Sequence, residues 1–407
     1  MQNNMANPFI ERPLVDRLLA SPLAFFLHPI HILLLRLRGP PHLPSSSSTT
    51  RPIRVVCISD THTLEWPDIP DGDLLIHAGD LCNDGSVREI QGTVNWLKTL
   101  PHRHKIVIAG NHDSYFDPRS RLEEDREEKV SSSLANISAS TASIRSLDID
   151  IDDFEGGRID WSHNTPTEDY DYASHASDDH LSEKGGDEQR EDIHYLQHSS
   201  ITLTFPALTP NQRSRTLNIY GAPQIPTPMP MGPEHAFTYP PSQDAWTNTI
   251  PPETDILVTH TPPYTHRDLG PNFSIGCPFL LSEVWRVRPI LHVFGHVHFA
   301  YGAEPVFWDE AQRAWERIST RCSARQRQLQ LSGRSSLMAR FGGLFYDLIT
   351  PKNWIDAFKL LFYDITGIIW SRVWGGQVGR GSGWMVNAAM MYKDTGVLRN
   401  KPQVFVL

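Results

Sequence analysis

Seven residues of this chain carry oxygen or nitrogen donors and each follows an apolar run: Asp60 and His62 in ISDTH, Asp80 in HAGD, Asn111 in AGNHD, His260 in LVTH, and His296 and His298 in FGHVH. Taken singly, an Asp or His after such a run is most often a loop cap or a satisfied core residue. Together they offer carboxylate, amide and imidazole groups without a thiolate, a mixture that suits a pair of divalent first-row metals such as Mn, Fe or Zn. A two-ion centre needs one ligand that bridges. Asp80 is the natural choice, because the preceding Gly79 allows a sharp turn and a carboxylate has an oxygen for each ion.

Such donors converge only if strands deliver them to one edge. IRVVCIS from Ile53, DLLIHAG (Asp73 to Gly79) and the run from His104 to Ala109 read as strands, with a helix near Val87 to Leu100 between the last two. This is an α/β beginning. Strand patterns resume at SITLTF (Ser200 to Phe205), TLNIYGAP (Thr216 to Pro223), DILVTH (Asp255 to His260) and ILHVFGHVH (Ile290 to His298). The chain closes on WMVNAAMMY (Trp384 to Tyr392) and QVFVL (Gln403 to Leu407).

The net charge of −10 is local in origin: residues 119–200 hold 21 Asp and Glu against 8 Lys and Arg, which leaves +3 for the rest. That stretch is Ser-rich and poor in apolar residues until Ile193, so it is expected to be a disordered insertion. The remaining surface can accept an anionic substrate. No basic stripe accompanies the seven residues, which argues against a nucleic-acid partner. The four cysteines, Cys57, Cys82, Cys277 and Cys322, show no CxxC spacing, so a reducing, cytoplasmic setting is expected.

Residues 1–52 read as an apolar arm followed by a Pro/Ser/Thr linker, and 53–407 as one domain interrupted by 119–200 and by an Arg- and aromatic-rich insertion at 303–376. LAFFLHPIHILLLRL (Leu23 to Leu37) is shorter than the roughly 20 residues a spanning helix needs, so it is expected to pack on the core or lie on a membrane surface. NWIDAFKLLFYDITGIIWS (Asn353 to Ser371) is read as an amphipathic helix covering the core, ahead of membrane contact.

In this order, ISDTH, AGD, AGNHD, THTPP and GHVH resemble the five signature blocks of the calcineurin-like metallophosphoesterases, over about 200 residues in three pieces: 53–118, 200–302 and 377–407. GAPQIP with Ala236 and Phe237, then TDILVTHTPP and RPILHVFGHVH, resemble the metallophosphoesterase-domain-containing branch known from animals. The resemblance implies an α+β fold of two face-to-face mixed sheets flanked by helices, with the metals at the strand ends. It implies that Asp60, His62 and His298 hold one ion and Asn111, His260 and His296 the other, with Asp80 between them. Some animal members carry Gly where this chain has His296, so the second position is complete here.

The implied chemistry is attack on a phosphoester by a metal-bridging hydroxide, the two cations acidifying the water and neutralising the phosphoryl oxygens. His112, beside Asn111, is then placed to protonate the leaving alkoxide, with Asp113 either orienting its ring or capping the turn. His77 reads as a buried hydrogen-bonded imidazole. Arg267 is set between phosphate binding and a surface ion pair with Asp268. The branch favours a diester, a cyclic nucleotide among them; a phosphomonoester or a phosphoprotein would use the same ligands. A non-catalytic interaction protein with a structural metal site would be expected to lack some of these ligands, and none is missing.

Overall fold

A computed structural model describes residues 21–41, 50–121, 192–227, 236–269, 274–331, 345–374 and 381–407, with a few single positions besides. Residues 122–191 of the acidic stretch and 42–49 of the linker lie outside the described residues.

Two large mixed sheets form the centre. In the first, β1 (Arg54–Ile58), β2 (Leu74–Ala78), β3 (His104–Ile108) and β4 (Asp192–Tyr195) run parallel, and β13 (Gln403–Val406) closes the far edge antiparallel to β1. The second follows the order β11 (Gly302–Phe307), β12 (Ser382–Asn387), β10 (Leu291–Phe294), β9 (Ile256–Thr259), β6 (Arg215–Ala222), β5 (Ser199–Phe205), with antiparallel pairs only at its two edges, and the short β7 (Ile225–Pro226) and β8 (Thr238–Tyr239) pair apart from both. Successive side chains point to opposite faces of a strand. Val55, Cys57, Leu74, Ile76, Ile106 and Ile108 of the first sheet therefore pack against Ile219, Ile256, Val258, Leu291 and Val293 of the second, all buried.

The outer faces are covered by helices, so the central strands are apolar on both sides and read as continuous runs rather than alternations. On the first sheet Val56, Ile58, Leu75 and Val107 meet Ile90, Val94 and Leu97 of α2 (Val87–Lys98), spaced at one helical face. Ser86 caps that helix by accepting from the Glu89 amide. On the second sheet Tyr220, Leu257, Phe294 and Met385 meet Leu280, Val284 and Val287 of α3 (Pro278–Val287). Burying each such side chain stabilises by about 1.5–3 kcal/mol. Every parallel strand of both sheets ends toward one rim, and the seven donor residues follow five of those ends.

Two boundaries differ from expectation. Asp192–Tyr195 and Ser199, expected in the acidic insertion, are strand, and so are residues 303–307, expected to open the second insertion. All three belong to edge strands. An edge tolerates the Asp192 carboxylate and the Pro305 ring, which would deny pairing in a central strand, so these segments look like loop in sequence.

The arm and the second insertion meet in one helical layer made of α1 (Pro22–Arg38), α4 (Glu310–Leu331) and α5 (Pro351–Trp374). Its apolar contact is a separate cluster of Leu27, Ala311, Ala314, Ile318, Ala357 and Leu360. Thus α5, expected from its sequence to cover the main core, does not; its inward face packs on two other helices. His31 of α1 lies 2.7 Å from Asp364 of α5, both buried. Among the described residues no helix is long and apolar enough to cross a membrane.

Candidate metal centre

The seven donors gather at the rim where β1, β2, β3, β9 and β10 end. Asp60, His62, Asp80 and His298 place one ligand atom each within 4.8 Å of one another, and so do Asp80, His260 and His296. Asp80 belongs to both groups. The Asn111 side-chain oxygen completes the second, 3.0 Å from His260 Nε2 and 2.8 Å from His296 Nδ1.

The backbone reaches this arrangement through unusual conformations. Asp60, His62, Asp80 and His296 all have φ between 47° and 66°, a left-handed region that costs a non-glycine residue free energy and recurs at functional sites. The strain is held by hydrogen bonds between the strand-end loops. The Asp60 amide donates to Gly79 O, those of Thr61 and His62 to Asp80 O, and that of His296 to the Asp60 carboxylate at 2.9 Å.

Gly110 packs directly against two of these donors. A Cβ there would run into the Asp80 carboxylate and stand 2.7 Å from His260 Cε1. Gly110→Ala is expected to push the Asp80 carboxylate off its position. A misplacement near 1 Å costs on the order of 10²-fold in rate, so kcat/KM should fall by about that much and bound metal with it. Unchanged metal content and kcat/KM in the Ala variant would show that the loop adapts.

Opposite charges in the site hold its carboxylates ionised. Burial opposes ionisation of Asp60 and Asp80, yet the surrounding imidazoles outweigh it and hold both carboxyls below their usual range. His296 is pushed down to about 3 by burial and by His260, so its ring is neutral with a lone pair to give. His62 is lowered by burial as well, and its buried Nε2 has no hydrogen-bond partner, standing 3.7 Å from Asp80 Oδ2. A buried polar atom left unsatisfied is costly and calls for a partner. A divalent cation supplies one, and the O/N donor set suits Mn, Fe or Zn; the residues present fit two such ions.

Further contacts orient these rings. His260 Nδ1 lies 2.9 Å from Ala78 O, and His298 Nδ1 lies 2.8 Å from Lys393 O, so each ring has one nitrogen on a carbonyl and the other directed into the cluster. His77, fully buried, pairs through Nε2 with the Thr61 hydroxyl at 2.9 Å and stays outside the cluster.

His112 lies at the mouth, its ring centroid 4.8 Å from that of His62. Its backbone amide donates to Asp80 Oδ1 at 2.9 Å, and its Nδ1 lies 3.0 Å from Asn83 O. Asp113 does not orient the ring. Its buried carboxylate accepts from the amides of Gly110 (2.7 Å) and Leu81 (2.9 Å), stapling the β3 turn to the β2 turn. The Asn83 carbonyl takes the orienting part; a main-chain acceptor leaves no mark in side-chain types. Asn387, not singled out from its sequence, is buried and donates through Nδ2 to Val297 O (2.9 Å) and Arg267 O (3.0 Å), fixing the loop that carries His296 and His298.

Arg267 is not paired with Asp268. Its guanidinium donates to Ala303 O at 2.6 Å and lies 3.5 Å from Glu304 Oε2, while Asp268 accepts from the amides of Thr265 and Gly276. The neighbouring His266 is buried with its two nitrogens 2.6 Å from Glu304 and 2.9 Å from Glu316, joining the loop after β9 to β11 and α4. Burial disfavours its charge, but the two carboxylates prevail and raise it to about 10. A raised folded-state value means stability that is complete below the unfolded value near 6.5 and lost as pH climbs through 10. His266→Ala, which strands buried Glu316, should cost about 3 kcal/mol at pH 6, and the gap to the wild type in denaturant melts should narrow by pH 10. A gap that is constant with pH would refute the charged pairing.

A family model described as calcineurin-like phosphoesterase matches residues 53–300. The human metallophosphoesterase domain-containing protein 1 is 32% identical over 293 residues, covering 65% of this chain and 68% of that protein. The UPF0046 protein C25E10.12 of Caenorhabditis elegans is 33% identical, covering 61% of this chain and 70% of its own length. A probable rhamnogalacturonate lyase C of Emericella nidulans is 34% identical over 276 residues, 67% of this chain, and the match spans only 19% of that protein. With the family match covering more than half of its length, and the two sheets framing a constellation of candidate metal ligands at their strand ends, this chain belongs to the calcineurin-like phosphoesterase family.

Proposed function

We propose that this chain is a dinuclear metal-dependent phosphodiesterase, with Asp60, His62, Asp80 and His298 around one divalent cation and Asp80, Asn111, His260 and His296 around the other. The observation that carries the proposal is the membership of Asp80 in both donor groups. When bound, two such ions supply Lewis acidity to a phosphoryl group and make water acidic enough to ionise near neutral pH. The chain's own residues do the rest. The carboxylates of Asp60 and Asp80 and the neutral rings of His62 and His296 fix both positions in advance, so little reorganisation accompanies reaction. His112, with Nδ1 on the Asn83 carbonyl, presents Nε2 at the mouth, where it would give a proton to the leaving alkoxide oxygen.

Support for a diester comes from charge. The donor set includes no Lys or Arg, and Arg267 is engaged by Ala303 and Glu304. A diester carries one negative charge and needs no extra cation; a dianionic monoester is held better with one. The test is metal analysis of the purified chain together with hydrolysis of bis(4-nitrophenyl) phosphate and 4-nitrophenyl phosphate. Two divalent ions per chain and a higher kcat/KM for the diester are expected. A monoester rate equal or higher would shift the assignment to a phosphomonoesterase, and no turnover of either ester with both ions loaded would favour a structural metal site.

A further inference from the structure

Helix α5 turns its aspartates inward. Asp356 and Asp364 are buried against Arg317, Arg321 and His31 of the neighbouring helices. Its outward stripe, Ile355, Phe358, Phe362, Ile365, Ile369 and Val373, recurs every three or four residues and is exposed, 69% in the case of Phe358. A helix packed on a soluble domain normally shows the reverse, apolar inward and charged outward. The stripe runs over most of a 24-residue helix, about 36 Å.

The same inversion extends to both neighbours of α5. In the helical turn before it, Asp347 is buried on Ser21 and Asn353, while Phe345 and Ile349 are exposed, Ile349 at 74%. On α1, Phe26, Ile30, Leu33 and Leu37 are exposed, and Arg372 of α5 lies at 3.4 Å from Leu37 O, so the two helices are adjacent there. The charges that remain outward have one sign. Lys352 and Arg372 are exposed on α5 and Arg36 on α1; α1 contains no Asp or Glu, and every Asp of α5 is buried. Trp354 and Trp370 stand near the two ends of α5, half exposed.

We propose that the outward faces of α1, residues 345–349 and α5 dock this protein on an anionic lipid bilayer, the helices lying in the headgroup plane. An apolar face with aromatic residues, flanked only by cations, matches the acyl boundary beneath an anionic headgroup layer. An apolar protein partner would leave Lys352, Arg36 and Arg372 without an opposing charge. Neither helix is suited to cross the bilayer, which fits a surface-lying geometry. The inference does not depend on which ester the metal centre cleaves.

The test is flotation of the full chain with vesicles of phosphatidylcholine alone and of phosphatidylcholine with 30% phosphatidylserine. The wild type should float with the serine-containing vesicles at least tenfold better than with the neutral ones. Phe358→Glu/Phe362→Glu, both on the exposed stripe, should lose that binding at least tenfold while keeping the wild-type circular dichroism and thermal midpoint. Lys352→Ala/Arg372→Ala should lose the preference for the serine lipid and keep part of the binding. The proposal is overturned if the wild type fails to float with either vesicle, or if Phe358→Glu/Phe362→Glu floats as well as the wild type. It is overturned equally if the wild type sediments as a dimer that this double variant dissociates and neither binds vesicles, which would assign the face to a second copy.

Discussion

Asp80→Asn should release metal from both positions at once. The Asp80 carboxylate is the only side chain shared by the two donor groups, with Oδ2 3.3 Å from His260 Nε2 and 3.7 Å from His62 Nε2. Asn keeps the shape and the acceptor for the His112 amide but removes the charge and one of the two anionic oxygens. Loss of an outer partner of a metal ligand costs roughly 10- to 100-fold; loss of a shared ligand should exceed that, with turnover falling by on the order of 10³-fold and metal content dropping below one ion per chain. By contrast, Asn111→Ala touches only the second group and should weaken one ion. Measured side by side by metal analysis and diester turnover, these variants separate a bridge from an ordinary ligand. Two ions retained with near-normal rate in Asp80→Asn would remove Asp80 from the bridging position.

His112→Ala should keep both ions yet slow turnover by roughly 10²- to 10⁴-fold, the range for a lost general acid. Its backbone amide still donates to Asp80 Oδ1 in the variant, so the ligand geometry is preserved while the ring is gone. The defect should shrink for 4-nitrophenolate esters, because a stable leaving anion needs little protonation, and widen for alkyl esters. Equal slowing across leaving groups would convert His112 from proton donor to phosphate binder. Metal loss as severe as in Asn111→Ala would make it a ligand.

The candidate metal centre is legible in the sequence because a strand buried on both faces is an unbroken apolar run, and any polar residue after it stands out: DLLIHAGD and KIVIAGNHD each announce their ends. The edges are less legible. In β4 and β11 the pairing is decided by a neighbour strand far along the chain, and Asp192 or Pro305 speaks locally for loop. Tertiary pairing of α1 with α5 is invisible for the same reason, since the periodicity of each helix shows an apolar face without showing which of its faces turns inward. In α5 the aspartates, ordinarily a sign of the wet side, mark the buried one. Contacts through main-chain atoms, such as His112 with the Asn83 carbonyl, have no residue-type signature at all.

The His31–Asp364 pair joins positions 333 residues apart, and the first sheet closes only when Val404–Val406 reach β1. On a ribosome adding about 5–20 residues per second, roughly 20 to 70 seconds separate the emergence of His31 from that of Asp364. Throughout that interval α1 is without the helix on which its buried face packs. A stop before β13 would leave the first sheet without its edge strand, and one before α5 would leave the helical layer open as well. Products that stop short of β13 should therefore aggregate or be cleared rather than accumulate as folded protein.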